Sequence, residues 1–467
     1  MPSLGDGSML GGDLGRLQEG LREEAEDGIL LDGAVMRRQN VLPVSWQDWS
    51  NFIVNGYVET GLAKAGSSLS QVGATKPASG PGRTGVLAAL FVTGFATFVN
   101  LYATQPLLPR FRELFHASEL KVSLTVSAPI LAVALAAPFL GILADTVGRK
   151  RVIVASMLAL ALPTALAATA SNLNQLIAWR FLQGLFTPGI IAVAMAYISE
   201  ETPRQMAGST MSIYITGGVV GGFCGRFASG LIAAQWGWRA SMVTLGLVTL
   251  AGGVLTWAIL PRSTKFVPND DAAASVASLG AHLRNAQLVA TYAVGFNVLF
   301  CLAGVFTYVN FYLADAPFHL GPSALAAIFA VYLIGAVVTP FSGQLLDRIG
   351  SRRVLLWAAA MASAGVLLTL IRSLPVVIAG LALAAAGAFV SQSGASSYVG
   401  KVAGQARSSA AGLYVALYYL GGCAGSVVPG LFWRKAGWSG CVGLMIFMQG
   451  VIALIVGRVW RHKVNAT

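Results

Sequence analysis

Residues 141–153 read Gly-Ile-Leu-Ala-Asp-Thr-Val-Gly-Arg-Lys-Arg-Val-Ile, and residues 343–355 read Gly-Gln-Leu-Leu-Asp-Arg-Ile-Gly-Ser-Arg-Arg-Val-Leu. In both stretches an Asp follows the first Gly by four residues and a second Gly follows the Asp by three; a basic cluster and an apolar residue come next. Each stretch joins the end of one long apolar segment to the start of another. Two such similar loops indicate that the chain is built from two related membrane halves.

The composition is that of a membrane protein. The chain has 467 residues, of which 55% are hydrophobic and 11% are charged, whereas a soluble domain carries about 25% charged residues. Beyond residue 84, apolar stretches of about 20 residues recur, and each is long enough to cross ~30 Å of hydrocarbon as a helix. We predict twelve such spans, at residues 86–108, 122–144, 152–170, 174–198, 208–233, 240–260, 286–313, 322–346, 353–371, 374–398, 408–432 and 438–458.

The first 84 residues differ in kind from the rest. They contain 10 of the 19 acidic residues but only 7 of the 31 basic ones. They show no sustained apolar period and no hydrophobic region of a signal peptide, and their apolar piece Ile29–Val35 is too short to span a bilayer. We expect residues 1–84 to be either a disordered cytoplasmic extension or the product of an over-long gene model. A regulatory or partner-binding tail is the alternative.

The distribution of Lys and Arg predicts the orientation. With a cytoplasmic N-terminus, the inner connections between spans carry fifteen basic residues and the outer connections carry seven. The positive-inside rule therefore places both termini in the cytoplasm, with the chain in the cytoplasmic (inner) membrane. The formal charge of +12 then follows from topology, and no nucleic-acid partner is needed. The longest internal connection, 262–285, is the predicted cytoplasmic linker between six-helix bundles at 85–261 and 286–467.

The duplication extends beyond the two loops. When the predicted fifth helix is shifted by 200 residues it falls on the eleventh, without a gap. The matched pairs are Tyr214 and Tyr414, Gly221 and Gly421, Gly222 and Gly422, Gly225 and Gly425, Gly230-Leu231 and Gly430-Leu431, and Gly237-Trp238 and Gly437-Trp438. Small residues at this spacing allow helix backbones to approach closely, so we expect both helices to pack tightly against neighbours.

These residues resemble the major facilitator superfamily. The 141–153 loop matches its signature between helices two and three, 343–355 matches the second-half copy, and Leu176–Gly184 matches the fourth-helix signature. Tyr102–Pro109, Ala196–Glu201 and Tyr418–Gly422 resemble the predicted sugar-efflux and acriflavine-sensitivity efflux branch. The resemblance implies an all-α membrane fold of twelve helices in two parallel-repeat halves, and transport by alternating access.

Three positions depart from the patterns of the family. In the fifth helix Gly222 stands where the antiporter signature has Pro, and Arg226 stands where it has Gly. In the tenth helix, Gln392 occupies a position where the branch pattern leads us to expect His. The first two departures weaken a direct inference to drug–proton antiport, and the third weakens a titrating role at 392.

Two arginines are the main candidates for binding substrate or coupling protons. Ionisable residues inside a bilayer are costly and mark functional sites by default. Arg180 and Arg226 both lie inside predicted spans, no Asp or Glu lies well inside any span, and Asp315 is the nearest acid in depth. The family signature implies proton transfer or substrate binding for Arg180, and the alternative is a snorkelling or carbonyl-bonded structural role. If both guanidiniums face the cavity, they favour an anionic or hydroxylated substrate.

Other polar residues of the spans either line the cavity or bond to a neighbouring helix. These are Asn100, Gln105, Gln183, Asn297, Tyr308, Asn310 and Gln392. The two loops are predicted to gate the conformational change, through Gly141, Asp145, Gly148 and Arg149 and through Gly343, Asp347, Gly350 and Arg353. By resemblance, Asp145 clamps its loop against the end of the eleventh helix, where a carboxylate near a helix N-terminus gains ~0.3–1 kcal/mol. We expect Gly141 and Gly148 to permit close helix passage and a tight turn.

The predicted function is secondary transport. The sequence contains no His-Glu-x-x-His, no Cys or His ligand cluster and no Walker A motif, which argues against an enzyme and against a nucleotide-driven pump. We expect no cofactor, a proton gradient as the energy source, and a monomer in the lipid bilayer that binds a small-molecule substrate. Proton-coupled efflux of a drug or dye, sugar or metabolite is favoured. The alternatives are proton-coupled uptake of an organic anion or sugar, and a non-transporting membrane sensor.

Overall fold

The computed structural model describes residues 28–31, 34–37, 83–263, 282–402 and 407–460. Within these ranges, eleven helical segments are long and apolar enough to cross a membrane. One of them, Met206–Ile259, is interrupted at Gly237, whose backbone is not helical. Its 54 residues would extend ~80 Å as a single helix, more than twice the ~30 Å of hydrocarbon. The eleven segments therefore correspond to the twelve predicted spans, numbered 1 to 12 below.

The first half contains spans 1 to 6. Span 1 consists of the helix Arg83–Leu101, the 3-10 helix Gln105–Leu107 and the helix Leu108–Leu114. The others are span 2, Glu119–Val147; span 3, Arg149–Leu166 with the 3-10 helix Ala167–Thr169; span 4, Leu173–Phe186 and Pro188–Glu201; and spans 5 and 6, Arg204–Ile259 divided at Gly237.

The second half repeats this order. Span 7 is Ala286–Ala314, and span 8 consists of Pro322–Ile328, the 3-10 helix Phe329–Leu333 and Ile334–Ile349. Spans 9 and 10 are Ser351–Leu368 and Leu374–Val402. Span 11 begins with Arg407–Val427 and continues into Pro429–Val459, which is interrupted at Ala436 and Gly437 before span 12.

Backbone conformation at the turns confirms the duplication. Gly148 and Gly350, 202 residues apart, have φ/ψ of 102°/143° and 84°/148° and end spans 2 and 8 in the same way. This region of backbone space is open essentially to glycine alone. His116 and His319, 203 residues apart, adopt φ of 47° and 49° after spans 1 and 7. Equivalent turns thus recur at equivalent places in both halves.

The repeated glycines bring spans 5 and 11 against the first span of their own half. A methyl group built at Gly221 or Gly225 would collide with backbone carbonyls of span 1, at Phe95 and Val99. Gly421 and Gly425 meet the corresponding carbonyls of Phe296 and Phe300 in span 7. The prediction of tight packing by both helices is therefore confirmed.

The bundle has two faces. The terminal face carries the start of span 1, the turns at Gly148 and Gly350 and the end of span 12; the opposite face carries the turns that follow Leu114 and Ala314. The largest cluster of buried apolar side chains contains members of both halves, among them Phe111, Ile130 and Phe306. The two halves therefore share a hydrophobic core.

Part of the N-terminal extension is described by itself. Gly28–Leu31 and Ala34–Arg37 form an antiparallel two-stranded hairpin in which Gly28 pairs with Arg37. These strands differ from the disordered extension that is predicted for residues 1–84. The rest of that extension up to residue 82, and most of the predicted linker, lie outside the described residues, so their interpretation stays a prediction.

Candidate functional site

Span 1 is broken in its middle, and the break organises the site. Its first helix ends at Leu101, and Pro106 and Pro109 follow in the short helices beyond. Proline lacks an N–H and interrupts the helical hydrogen-bond ladder. The Asn100 and Tyr102 carbonyls still accept backbone N–H groups, from Ala103 and Gln105, whereas the Leu101 and Ala103 carbonyls accept from side chains. Such donors matter because unsatisfied backbone groups are costly at membrane depth.

Arg180 of span 4 donates to two carbonyls of the break. Its side chain is 1% exposed, and it donates from Nη1 to the Asn100 carbonyl at 2.9 Å and from Nη2 to the Leu101 carbonyl at 2.6 Å. Nε donates to the Thr125 carbonyl of span 2 at 2.9 Å, and Nη1 also donates to Oε1 of Gln183. Four of the five N–H groups of a guanidinium are thus occupied within the first half. This geometry corresponds to a carbonyl-bonded structural role for Arg180, which is the alternative to proton transfer or substrate binding.

Arg226 of span 5 lies in a different environment. It is 2% exposed, its Nε donates to Oε1 of Gln105 at 2.7 Å, and its Nη1 donates to the Gly222 carbonyl at 2.6 Å. Three N–H groups remain, and the guanidinium carbon lies 4.5 Å from the ring centroid of Tyr332 and 4.6 Å from that of Tyr102. Among the described residues, no carboxylate forms an ion pair with Arg226. The residue therefore keeps a buried positive charge balanced by aromatic faces.

Both halves contribute to the surroundings of Arg226. Tyr102 and Gln105 belong to span 1, whereas Tyr332 and Phe329, whose centroid is 5.0 Å from the guanidinium, belong to span 8. Nε2 of Gln105 donates to Oγ1 of Thr307 in span 7 at 3.3 Å. A movement of one half against the other must therefore change the contacts of Arg226.

The remaining predicted cavity residues lie in different places, and Tyr308 of span 7 donates to the Val427 carbonyl of span 11 at 3.3 Å and lies 3.4 Å from Oγ of Ser123 in span 2. Asn100, Gln105 and Gln183 lie beside the break in span 1; Nδ2 of Asn100 donates to Oγ1 of Thr249 in span 6 at 2.7 Å. Asn297 and Asn310 bond within span 7, each from Nδ2 to the carbonyl four residues earlier. Gln392 is half-buried in span 10, away from the contacts of both arginines. The structure thus gathers the first-half candidates and leaves those of the second half apart.

An ion pair joins the two halves at the opposite face. Arg112, at the end of span 1, binds Asp315 at the end of span 7 through both carboxylate oxygens, at 2.6 and 3.1 Å. Its Nη1 also lies 3.3 Å from Oε1 of Glu119. The sequence alone indicates Asp315 only as the acid nearest to Arg180 and Arg226 in depth, and Arg112 only as a charge of an outer connection.

A sequence signal for this pair exists. Phe115-His116 and Phe318-His319 match at a shift of 203 residues, and the same shift carries Arg112 onto Asp315. Equivalent residues of two parallel repeats face each other across the axis that relates the halves. Opposite charges at equivalent positions there indicate an ion pair.

The two loops predicted to gate the conformational change lie at the terminal face and are partly described. Arg149 forms a two-point ion pair with Glu200 at the end of span 4, at 2.7 and 3.1 Å. Gly148 makes the expected tight turn, and among the described residues no atom lies within 4 Å of a methyl group built at Gly141, so no described residue forms the close helix passage predicted there. Gly343 has the same open surroundings, and Arg353 is exposed. The side chains of Asp145 and Asp347 lie outside the described set, and the clamp stays a prediction.

The halves are closed together at the opposite face. A methyl group at Gly230 of span 5 would lie 2.6 Å from the Pro322 carbonyl of span 8. One at Gly430 of span 11 would lie 3.1 Å from the side chain of Leu120 in span 2. Near the terminal face of the same helices, no described atom lies within 4 Å of a methyl group built at Gly208 or Gly412. The described contacts thus close the two halves together at the opposite face.

Comparison with known proteins agrees with this geometry. The sequence profile of the Major Facilitator Superfamily matches residues 90–426 and 313–466. The chain is 33% identical over 374 residues to the uncharacterized MFS-type transporter YybF of Bacillus subtilis, covering 80% of this chain and 93% of that protein. It is 32% identical over 384 residues to the inner membrane transport protein YnfM of Escherichia coli, covering 82% and 91%.

A shorter match and a solved structure extend the comparison. The multidrug resistance protein MdtG of Yersinia enterocolitica is 30% identical over 286 residues, which cover 58% of this chain and 68% of that protein. A bacterial homologue of the human lysosomal transporter Spinster, solved in an inward-facing and occupied conformation, superposes with a TM-score of 0.67 at 16% identity, covering 82% of this chain and 97% of that one. This chain is a membrane transporter and belongs to the major facilitator superfamily.

Proposed function

We propose that the chain exports a small organic solute with an anionic or strongly hydrogen-bond-accepting group, by proton-coupled alternating access. The similarity to MdtG, named as a multidrug resistance protein, supports export, and that to YnfM, named as an inner membrane protein, supports the inner membrane. The excess of Lys and Arg in the connections at the terminal face supports a cytoplasmic position for that face. The closed opposite face is then the external one.

The buried charge of Arg226 carries the proposal about substrate. A guanidinium inside a membrane protein is costly unless it is paired, and such residues mark substrate or ion pathways. Arg226 has no carboxylate partner among the described residues, retains unassigned N–H donors, and contacts rings from both halves. When the halves separate, the span 8 rings Phe329 and Tyr332 leave the guanidinium. An anionic group of the solute would then supply the missing partner.

Proton coupling in this chain would act at the helix ends. Among the described residues beyond 84, every Asp, Glu and His lies in a loop or within a few residues of a helix end. Asp315 and Glu119 at the opposite face are the acids that contact the inter-half arginine Arg112. We place the coupling group among such end residues and not inside the cavity.

Transport into inverted membrane vesicles with an imposed proton gradient tests the proposal. Matched anionic, neutral and cationic solutes of similar size would be compared in wild type, Arg226→Gln and Arg226→Lys. Loss of a charge-assisted hydrogen bond, ~1.5–3 kcal/mol, lowers the efficiency of anion transport by roughly 10- to 100-fold in Arg226→Gln. Arg226→Lys keeps the charge and retains more activity.

Arg239→Gln is the matched control. Arg239 is exposed and lies at the start of span 6, at the opposite face. It is expected to transport like wild type. Unchanged anion transport by Arg226→Gln, or no preference for anions in wild type, would contradict the substrate assignment. Accumulation in right-side-out vesicles only would contradict export and favour uptake.

A further inference from the structure

A basic pocket opens at the terminal face of the first half, apart from Arg226. It has a volume of about 860 Å³ and lies between the turn at Gly148, the start of span 3 and the end of span 6. Lys150, Arg151 and Arg262 line it, and none of the lining residues that the structure describes is acidic. The pocket therefore concentrates three positive charges in one cavity.

The three cations have no partner within the described residues. None of them takes part in a hydrogen bond or ion pair there, whereas the adjacent Arg149 is bound to Glu200. Lys150 and Arg262 are close enough for their charges to repel each other. Like charges held together in this way favour an anion between them.

The other wall of the pocket is apolar and faces outward. Trp257 is 63% exposed and Leu158 is 37% exposed, and both line the cavity. The membrane-crossing segment of span 3 begins at Arg149 and that of span 6 ends at Ile259, so the cations lie at the membrane boundary and the apolar wall lies just inside it. Exposed Trp is typical of that boundary.

The second half offers an internal comparison. Arg352 occupies the position of Lys150 at the shift of 202 residues, and it donates from Nη2 to the Gly457 carbonyl at 2.6 Å. Gly457 itself occupies the position of Trp257 at the shift of 200 residues. Arg352 of the second half is thus bound to the end of span 12, whereas Lys150 of the first half remains available for a ligand.

We propose that this pocket binds an anionic phospholipid from the leaflet at the terminal face. Lys150, Arg151 and Arg262 receive the phosphate of the headgroup, and an acyl chain lies along Leu158 and Trp257. Basic pockets between membrane helices on the cytoplasmic side suit anionic headgroups. A lipid here joins the start of span 3 to the end of span 6, beside the gating turn at Gly148. This site is independent of the substrate proposed above.

Native mass spectrometry of the purified full chain tests the site. Phosphatidylglycerol and phosphatidylcholine with identical acyl chains would be offered in competition, with inorganic phosphate in a third arm. Wild type is expected to retain phosphatidylglycerol over phosphatidylcholine, and inorganic phosphate is expected not to displace it. Removing two cations in Lys150→Gln/Arg262→Gln weakens phosphatidylglycerol binding roughly 30-fold.

Arg348→Gln/Arg458→Gln removes two charges near the same face in the second half and is expected to bind phosphatidylglycerol like wild type. Equal retention of both lipids by wild type would overturn the proposal, as would undiminished binding by Lys150→Gln/Arg262→Gln. Displacement by inorganic phosphate at concentrations equal to the lipid would assign a free-anion site instead. The wild-type comparison requires no substitution, so it decides the question even if the double variant does not fold.

Discussion

At the scale of single residues, the two buried arginines show what sequence could and could not predict. Hydropathy places both Arg180 and Arg226 inside spans, and the cost of a buried charge predicts that each has a specific task. The partners that distinguish the tasks come from distant segments. Arg180 donates to carbonyls that a break in span 1 exposes, and that break depends on where Pro106 and Pro109 fall in the folded helix. Arg226 meets rings of span 8, more than 100 residues away.

Arg180→Lys is expected to destabilise the protein rather than to change its selectivity. A lysine ammonium has three donors where Arg180 uses four, and it cannot reach spans 1 and 2 in the same planar geometry. Each buried carbonyl left without a donor costs about 1–3 kcal/mol. Thermal unfolding in detergent should show a clear loss of stability, while the protein that remains folded keeps the solute preference of wild type. Normal stability with altered preference would assign Arg180 to the substrate.

At the scale of elements, most of the architecture could be predicted. The apolar stretches predict the spans, the 200-residue shift predicts the matched packing of spans 5 and 11, and the paired loops predict matched turns at Gly148 and Gly350. Hydropathy could not predict that Met206–Ile259 bends at Gly237 without a loop, nor that span 1 changes to a 3-10 helix at Gln105. Both depend on local backbone geometry, to which an average over apolar residues is insensitive.

Gly148→Ala and Gly141→Ala separate turn geometry from helix packing. Gly148 has φ of 102°, a conformation that costs a residue with a side chain about 1–3 kcal/mol. Gly141 has a helical backbone conformation, and no described atom lies within 4 Å of a methyl group added there. Thermal unfolding should therefore show destabilisation in Gly148→Ala and none in Gly141→Ala. If Gly141→Ala retains stability but transports slowly, Gly141 packs closely in another state of the cycle.

At the scale of the whole molecule, contacts between the halves gather towards the opposite face. The bridge from Arg112 to Asp315, the rings around Arg226 and the close approach of Gly230 to span 8 all join one half to the other. Near the terminal face of spans 5 and 11, no described atom lies within 4 Å of a methyl group built at Gly208 or Gly412. Alternating access requires these contacts to exchange.

Asp315→Asn is expected to shift the molecule towards a state open at the opposite face. The side chain of Asp315 is 45% exposed, and an ion pair so accessible to solvent is worth up to ~1 kcal/mol. Its loss therefore changes the ratio of closed to open states by up to roughly fivefold. Spin-label distances across that face should lengthen in Asp315→Asn and return in the exchanged pair Arg112→Asp/Asp315→Arg. Arg110→Gln breaks only a pair within one helix turn and should leave the distances unchanged.

Distances measured simultaneously across both faces test most directly whether the two halves move as an alternating-access carrier. In a chain whose four cysteines are replaced, labels at Lys121→Cys/Ser323→Cys report the opposite-face ends of spans 2 and 8, and labels at Thr146→Cys/Arg348→Cys report their terminal-face ends. Double electron–electron resonance should show two populations of label-to-label distances at each face. Conditions that lengthen the distance at one face should shorten the distance at the other. A protein that transports but shows a single distance at each face, or distances that lengthen together at both faces, would contradict a movement of the two halves against each other.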